Sequence, residues 1–353
     1  MSNWYCSRES VKRALNVNGQ GRDRFIDEVI EGMSREIDRW CRRIFIPQTQ
    51  TRLYEWPARQ STRGHILWLD YDLISLTTLQ TQAQDSSPTT ISSSDYFLEP
   101  NNDGPPYNRI EIDLSSTAAL ESGDTPQRSI SVAGSWGYSA NTKSVGTVAS
   151  GLSSSTSATS MVCSNASVID VGDSLLIESE QIFVSERAFA ALDSILTNDA
   201  SITGSRADNE ITVDGSHGIV AGEIIRLDSE QIYVEAVSGN VLTVERAYNG
   251  TLLASHANDL AVHINRTLTV ERGLNGTTAA THANSTAISK HEPEFNVQLW
   301  CRREAIAAYL QEAAGMGRET GQGDGSREFQ GVDLIARRNM DIEHYERIRM
   351  AAA

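Results

Sequence analysis

The chain has 353 residues, enough for two or three domains, and its 30 basic and 46 acidic residues give a formal net charge of −16. This balance argues against a general attraction to nucleic acid or anionic membranes. The sequence contains no run of 18 apolar residues, about the length that a membrane-spanning helix needs. Four cysteines without metal-ligand spacing, and an N-terminus without signal-peptide features, predict a protein with buried thiols and no disulfide framework, made in a reducing cytoplasm.

The N-terminal segment is predicted to be helical. Ser7 is a candidate N-cap for a short helix near 8–16, and Asp23 can cap a longer helix over about 24–45. The longer helix carries a wide apolar stripe that includes Ile37 and Trp40. Short apolar or alternating runs then predict strands at 52–56, 65–69, 96–98, 109–113 and 129–133.

A segment rich in Ser, Thr, Gly and Ala follows at 139–160 and is predicted to be a linker. Beyond it, two half-motifs are each repeated. Residues 172–184 reappear as 222–234 with six of 13 positions identical, and residues 242–258 reappear as 268–284 with 12 of 17 identical.

The order of the halves is first, first, second, second, which predicts one β module inserted into a copy of itself. The halves are separated by seven residues in the inner copy and by 83 in the outer copy, and the surplus is about one module. We assign the outer module to 161–189 plus 266–289 and the inner module to 205–265. Turns such as Asn249-Gly250 favour strand-turn-strand structure.

Helical patterns return after Pro293. The first, over about 294–314, has an apolar face that includes Leu299, Trp300 and Tyr309. The second, over about 332–350, has Tyr345 on its apolar face. Its opposite face carries four arginines: Arg337, Arg338, Arg347 and Arg349. These arginines fit either a solvated surface or a surface that docks on an acidic partner.

Repeated polar residues are the candidates for chemistry. The carboxylate pairs Glu178/Glu180 and Asp228/Glu230 fit acid–base work or a cation site, but a solvated turn shared by two repeats is the stronger interpretation. Four further repeated residues are predicted to maintain the fold, with each imidazole bonded to a turn carbonyl: Asn249, His256, Asn275 and His282.

Sequence motifs of enzymes are missing from the chain. The glycines at 315–325 match neither phosphate-loop pattern, and no G-x-S-x-G or HExxH run occurs. We therefore expect no enzymatic activity, no catalytic, cofactor-binding or metal-binding residues, and no cofactor.

Two runs outside the repeats occur in a characteristic order: the strand end Ile130-Ser-Val-Ala-Gly-Ser-Trp-Gly-Tyr138 and the helix Val297-Gln-Leu-Trp-Cys-Arg-Arg-Glu-Ala-Ile-Ala-Ala-Tyr309. With its middle removed, the chain resembles in these runs the head–tail connector (adaptor) family of tailed bacteriophages. It covers roughly 1–138 and 294–350. The repeats are similar to "LTVxRGxNGTTAAxHA" β modules found in phage structural proteins.

The resemblance implies an α+β fold, with a discontinuous α-helical bundle and short strands (1–138 plus 294–353). In this chain that fold carries an all-β insertion at 139–293, which departs from the family pattern. It implies a homo-oligomeric ring, commonly of twelve subunits, at the head–tail junction of the virion. The partners would be the portal protein, a stopper (head-closure) or tail protein, other copies of the chain, and double-stranded DNA passing through the channel without sequence-specific binding. No membrane partner is expected.

The family tends to grip the portal through its C-terminal segment, here 326–353. The implied docking residues are Arg337, Arg338, Tyr345, Arg347 and Arg349. The residues expected to pack in the core or between subunits are Ile37, Trp40, Leu299, Trp300 and Tyr309. Removal of 326–353 is predicted to abolish portal attachment and to leave the fold intact.

Two other functions remain open at this point. The β insertion could bind host glycans or decorate the capsid, which would make the chain a binding module. The second hypothesis is a polysaccharide depolymerase, which is supported only by the β repeats and the carboxylates. Such an enzyme requires a deep cleft, which the sequence does not reveal.

Overall fold

The structure is a computed structural model that describes residues 3–17, 19–57, 63–198, 202–313, 319–320, 327–328 and 331–347. The described residues form four helices: α1 (Arg8–Leu15), α2 (Asp23–Cys41), α3 (Phe295–Ala313) and α4 (Gly331–Tyr345). Ser7 is the N-cap of α1, as predicted, and its side chain accepts a hydrogen bond from the backbone N of Ser10. Helix α2 begins with Asp23 and ends where Arg42 adopts the left-handed conformation.

An antiparallel sheet lies between the second and third helices in sequence. Its strands are β1 (Gln48–Tyr54), β2 (Ile66–Thr81), β3 (Thr89–Ile91), β4 (Tyr96–Glu99), β5 (Tyr107–Ile112) and β6 (Ile130–Trp136). The strand order is β1-β6-β2-β5-β4, with β3 paired to β2. Alternate residues of β6 from Ile130 to Trp136 are buried, because one face of this strand covers the core of the sheet.

The predicted fold class, an α-helical bundle with short strands that carries an all-β insertion, is wrong. The structure is mostly β, with antiparallel sheets of six and ten strands. The largest difference is β2, which was expected only at 65–69 and runs for 16 residues. Its register against β5 and β6 shifts between residues 68 and 73, 73 and 75, and 76 and 78, which breaks the period-two pattern that identifies a strand.

The second antiparallel sheet contains most of the remaining strands. They are β7 (Thr142–Thr147), β8 (Ser160–Val162), β9 (Ser174–Ile177), β10 (Glu180–Ile195), β11 (Glu210–Thr212), β12 (Ile224–Leu227), β13 (Glu230–Ser238), β14 (Val241–Tyr248), β15 (Ala261–Glu271) and β16 (Ala287–His291). The order is β11-β14-β13-β12-β15-β10-β9-β16-β7, with β8 on β15. Two short strands, β17 (Glu319–Thr320) and β18 (Arg327–Glu328), pair with each other.

The inner repeat contains a complete hairpin. Strands β13 and β14 pair up to Ser238 and Val241, and residues 239–240 form the turn between them. The first turn residue is a glycine with a positive φ of 58°, as a tight hairpin requires. The pairing shifts register just after Val234, which marks an irregularity in β13.

The outer repeat contains the same hairpin with its tip opened. Strands β10 and β15 pair in the corresponding register up to Ala188 and Thr267, and the register shifts after Val184 as it does in the inner copy. Where the inner hairpin turns, the outer strands continue into residues 189–266. The whole inner repeat is therefore grafted in place of a two-residue turn.

Each repeat has its own hydrophobic core. The outer core draws on residues from Val145 to Ile288, and the inner core on residues from Leu196 to Ile264. The predicted linker at 139–160 instead contributes β7, which pairs with β16, and buries Val148 and Leu152 in the outer core. We therefore define the outer module as 142–188 plus 267–291 and the inner module as 189–266.

The remaining residues, 3–138 and 294–347, are called the body. The N-terminal and C-terminal helical segments meet in the body. Helix α2 packs against α3, and the rings of Trp40 and Trp300 stack 5.8 Å apart. Val171 and Phe183 of the outer module belong to the same buried cluster as the helices. The outer module is thus packed directly on the helical part of the body.

Candidate functional site

A buried carboxylate binds an arginine and a histidine inside the outer module. Nε and Nη2 of Arg272 donate hydrogen bonds of 2.7 Å to the two carboxylate oxygens of Glu180. The ring nitrogens of His282 lie 2.8 Å from Glu180 and 2.8 Å from Glu178. The side chains of Glu180, Arg272 and His282 are fully buried, and that of Glu178 is exposed. We call these four residues the outer carboxylate cluster.

The inner module repeats this arrangement. Arg246 donates hydrogen bonds of 2.7 and 2.8 Å to the carboxylate of Glu230. His256 lies 2.9 Å from Glu230 and 3.1 Å from the exposed Asp228. These four residues form the inner carboxylate cluster. Bidentate arginine–carboxylate pairs are among the strongest hydrogen-bonded contacts in proteins.

Backbone groups form the remaining hydrogen bonds of each buried arginine–carboxylate pair. In the outer cluster, the backbone N of Gly273 and that of Ala280 donate to Glu180 at 3.0 and 2.9 Å. Arg272 also donates to the carbonyl oxygens of Ser153 (2.8 Å) and Ala280 (2.7 Å). A buried ion pair is tolerated when its polar atoms are hydrogen-bonded in this way. The cluster therefore ties three segments of the module together.

Electrostatics hold both buried carboxylates in the ionised form. Burial by itself raises the pKa of Glu180, but hydrogen bonds from Arg272, Ala280 and His282 outweigh it and lower the pKa to about 2. The pKa of Glu230 is lowered to about 2 for the same reasons. A general acid or base needs a pKa nearer the working pH, so these carboxylates are poorly suited to proton transfer. Among the described residues, no group of three His, Cys, Asp or Glu could hold a metal ion.

The expected partner of the repeated histidines was wrong. His256 and His282 were predicted to bond a turn carbonyl, yet each ring contacts two carboxylates. Sequence reasoning also missed Arg246 and Arg272, although both occur in the repeated run Thr-Val-Glu-Arg. That repetition was the signal that could have identified them as partners of the repeated acids.

The two repeated asparagines have different surroundings. Nδ2 of Asn275 donates to Gln181 at 2.7 Å and to Asn3 of the body at 2.9 Å. Asn249 makes the corresponding bond to Gln231 at 2.8 Å, but in an exposed position. The outer copy of this turn is therefore bound to the body, whereas the inner copy is exposed and borders a cleft next to α1.

Close backbone approaches fix the outer module on the body. A side chain at Gly276 would collide with the carbonyl oxygen of Thr49, whose backbone N donates to the carbonyl of residue 275 at 2.7 Å. Gly172, which has a positive φ of 101°, leaves no room for a side chain beside Trp4. Trp4 in turn packs edge-on against Phe183 at 5.2 Å. We call this contact region the module joint.

Three of the five predicted portal-docking residues instead hold α4 on the body. Tyr345 is buried and donates to Glu294 at 2.8 Å. Arg338 donates to Glu304 at 2.5 Å and covers the ring of a tryptophan in α2 at 4.8 Å. Arg347 donates to the backbone carbonyl of residue 69 at 2.9 Å. These three side chains therefore already make contacts within the chain, and their docking on an external partner stays a prediction.

The other predicted docking residues are Arg337 and Arg349. Arg337 is exposed, and Arg349 lies outside the described residues. Two large apolar side chains on α4 are also exposed: Ile335 by 55% and Met340 by 69%. We call the exposed side of α4, which carries these three side chains, the outer face of α4.

The five predicted packing residues all lie in or beside the helical core of the body. Ile37, Trp300 and Tyr309 are buried there within a single chain. Trp40 packs against that core, and Leu299 is partly exposed beside a cleft. These contacts account for the burial of all but Leu299 without a neighbouring subunit.

Comparisons with protein-family models, with curated proteins and with solved structures find no match to this chain. Across the described part of the chain, no helix is long and apolar enough to cross a membrane.

Proposed function

We propose that this chain is a structural protein of a tailed-bacteriophage particle, a head-to-tail connector that forms a ring between the portal and the stopper or tail. The observation that carries the proposal is the outer face of α4. Two large apolar side chains and a cation remain exposed on a helix whose other side is fixed to the body. Arg337 and Met340 are three residues apart and therefore neighbours on the helix, and an exposed apolar side chain beside a cation suits a contact with another protein.

The position of the β modules is compatible with this role. The outer module is fixed at the module joint, and the inner module extends from the tip of one of its hairpins. An insertion at a hairpin tip leaves the body's own helices and six-stranded sheet intact. In a ring, the body would make the contacts between portal and tail, and the modules would project from it.

The charge of the chain suits a channel for DNA. With a formal net charge of −16, the subunits would repel a passing duplex rather than retain it.

The test is reconstitution with the portal protein of the same particle, observed by negative-stain microscopy. The full chain should form a ring on the portal, and Arg337→Glu combined with Met340→Glu should abolish it. Leu114→Glu is the matched control, because Leu114 is 77% exposed in the body but lies away from α4 in sequence. Failure of the unmodified chain to form a ring, or equal loss in the control, would contradict the proposal.

A second function is favoured by the exposed turn of the inner module. Leu252 in this turn is 84% exposed, and the preceding Asn249 is exposed as well. If the chain has this second function, it decorates the particle, and its inner module binds a host glycan or the capsid. Excision of residues 189–266 separates the two functions. Particles that assemble but no longer adsorb would favour binding, whereas normal adsorption would exclude it.

A further inference from the structure

Two cysteines from opposite ends of the chain face each other in the body. The Sγ atoms of Cys6 and Cys301 lie 3.4 Å apart, although 295 residues separate them. Cys301 is fully buried in α3, and Cys6 lies in the segment just before α1. A disulfide bond measures about 2.05 Å, so the two sulfur atoms need to approach by about 1.4 Å, which side-chain rotation can provide.

A cleft of about 200 Å³ opens beside this pair. Cys6 lines it, together with side chains of the N-terminal segment, the outer module and α3. All four cysteines lie in the described part of the chain, and Cys6 alone is partly exposed, whereas Cys41 and Cys163 are buried elsewhere. A small oxidant can therefore reach Cys6 without unfolding of the body.

We propose that Cys6 and Cys301 form a reactive dithiol that a hydroperoxide converts to a disulfide. In the first step, the Cys6 sulfur attacks one peroxide oxygen and the O–O bond breaks. The thiol proton passes to the leaving oxygen, which departs as the first water, and Cys6 becomes a sulfenic acid. In the second, the Cys301 sulfur attacks Cys6, the S–O bond breaks, and the second water leaves with the thiol proton. Two thiols and one hydrogen peroxide give one disulfide and two waters.

The surroundings of Cys301 favour the second step. Its sulfur lies 3.4 Å from the hydroxyl of Ser34 as well as from Cys6. Burial raises the pKa of Cys301, but hydrogen bonds from Cys6, Ser34 and the backbone outweigh it and lower the pKa. The hydrogen bond between the two cysteines, together with burial, raises the pKa of Cys6, so Cys6 reacts as a thiol and loses its proton during the attack on the peroxide. A sulfur held 3.4 Å from the resulting sulfenic acid is positioned to resolve it to a disulfide rather than to higher oxides.

The bond would fix the N-terminal segment, which holds the module joint together. Asn3 in this segment bonds the outer module through Asn275, and Trp4 packs on Phe183. A covalent link from Cys6 to α3 would anchor this segment to the helical core. The oxidised chain should therefore resist separation of the outer module from the body.

The test uses the full chain, purified in reductant, treated with hydrogen peroxide and digested without reduction. We expect a peptide linking residues 6 and 301, a mass loss of about 2 Da, and a fall from four free thiols to two after denaturation. The midpoint of thermal unfolding should rise by several degrees and return after reduction with dithiothreitol.

Single substitutions make the test specific. Cys6→Ser and Cys301→Ser should each abolish the linked peptide, and the matched Cys41→Ser should retain it. Circular dichroism checks that each variant is folded, and Cys301→Ala replaces Cys301→Ser if the serine disrupts the core. The proposal is overturned if folded protein accumulates sulfinic or sulfonic acid at Cys6 without the linked peptide, or if its four thiols stay unreactive.

Discussion

Glu180 and Arg272 make two hydrogen bonds of 2.7 Å across 92 residues of sequence. Their counterparts in the inner module, Glu230 and Arg246, make bonds of 2.7 and 2.8 Å across only 16 residues. The inserted segment, 189–266, has separated the first pair in sequence without changing its geometry. An insertion at a hairpin tip has this property, because the two strands that hold the pair keep their register.

Replacing Arg272 should destabilise the outer module strongly. Arg272→Met leaves Glu180 buried without its counter-ion, and breaking such a pair costs about 3–5 kcal/mol. Arg246→Met is the matched variant and should cost a similar amount within the inner module. Urea unfolding measures the loss, and hydrogen exchange locates it in β9 and β10 or in β12 and β13. Faster exchange in the same strands for both variants would contradict separate cores.

Removing the inner module should leave a folded chain. Replacing residues 189–266 by Gly-Asn, the turn of the inner hairpin, joins β10 to β15 in the register that β13 and β14 already use. The outer core contains no residue from the excised segment. Circular dichroism and thermal unfolding should report a cooperative β-rich fold. Replacing 188–266 by the same Gly-Asn turn is the control. One residue fewer in β10 shifts its pairing with β15 and should therefore reduce stability.

The nested order of the repeats could be predicted from the sequence, because identity is highest in the hairpins that hold the carboxylate clusters. The first strands of each module could not be predicted from the sequence. Val148 and Leu152 lie in a serine-rich segment, and nothing local distinguishes such a segment from a linker. Their burial depends on strands more than 100 residues away in sequence, such as β16.

The arginines of α4 illustrate a second limit. Sequence periodicity places Arg337 and Arg338 together on the polar side of the helix, although one is exposed and the other bonds Glu304 of α3. Local patterns do not reveal which charges find partners, because the partner is 34 residues away and fixed by packing. For the same reason, Tyr345 was predicted to contact a portal when it is part of the core.

Tyr345 should be essential for the stability of the body. Tyr345→Ala removes a buried ring that packs edge-on against Phe45 and Tyr138, and truncation of a large buried side chain costs about 3–5 kcal/mol. Arg337→Ala on the exposed face should change stability by less than about 0.5 kcal/mol. Urea titration followed by tryptophan fluorescence measures both. We accordingly revise the expectation that loss of 326–353 leaves the fold intact, and equal stabilities of the two variants would refute this revision.

The carboxylate clusters should make the β modules sensitive to acid. Glu180 and Glu230 have pKa values lowered from 4.5 to about 2 in the folded chain. Between these values the unfolded chain binds more protons, so stability is complete above about pH 4.5 and declines as the pH falls toward 2. Each shift corresponds to roughly 3 kcal/mol.

Glu180→Gln should lower stability at pH 7 and flatten the decline measured by urea unfolding at pH 5 to 2. Glu28→Gln, on the exposed side of α2, is the control and should leave the slope unchanged. Parallel curves for Glu180→Gln and the unmodified chain would mean that the outer cluster does not carry the acid sensitivity.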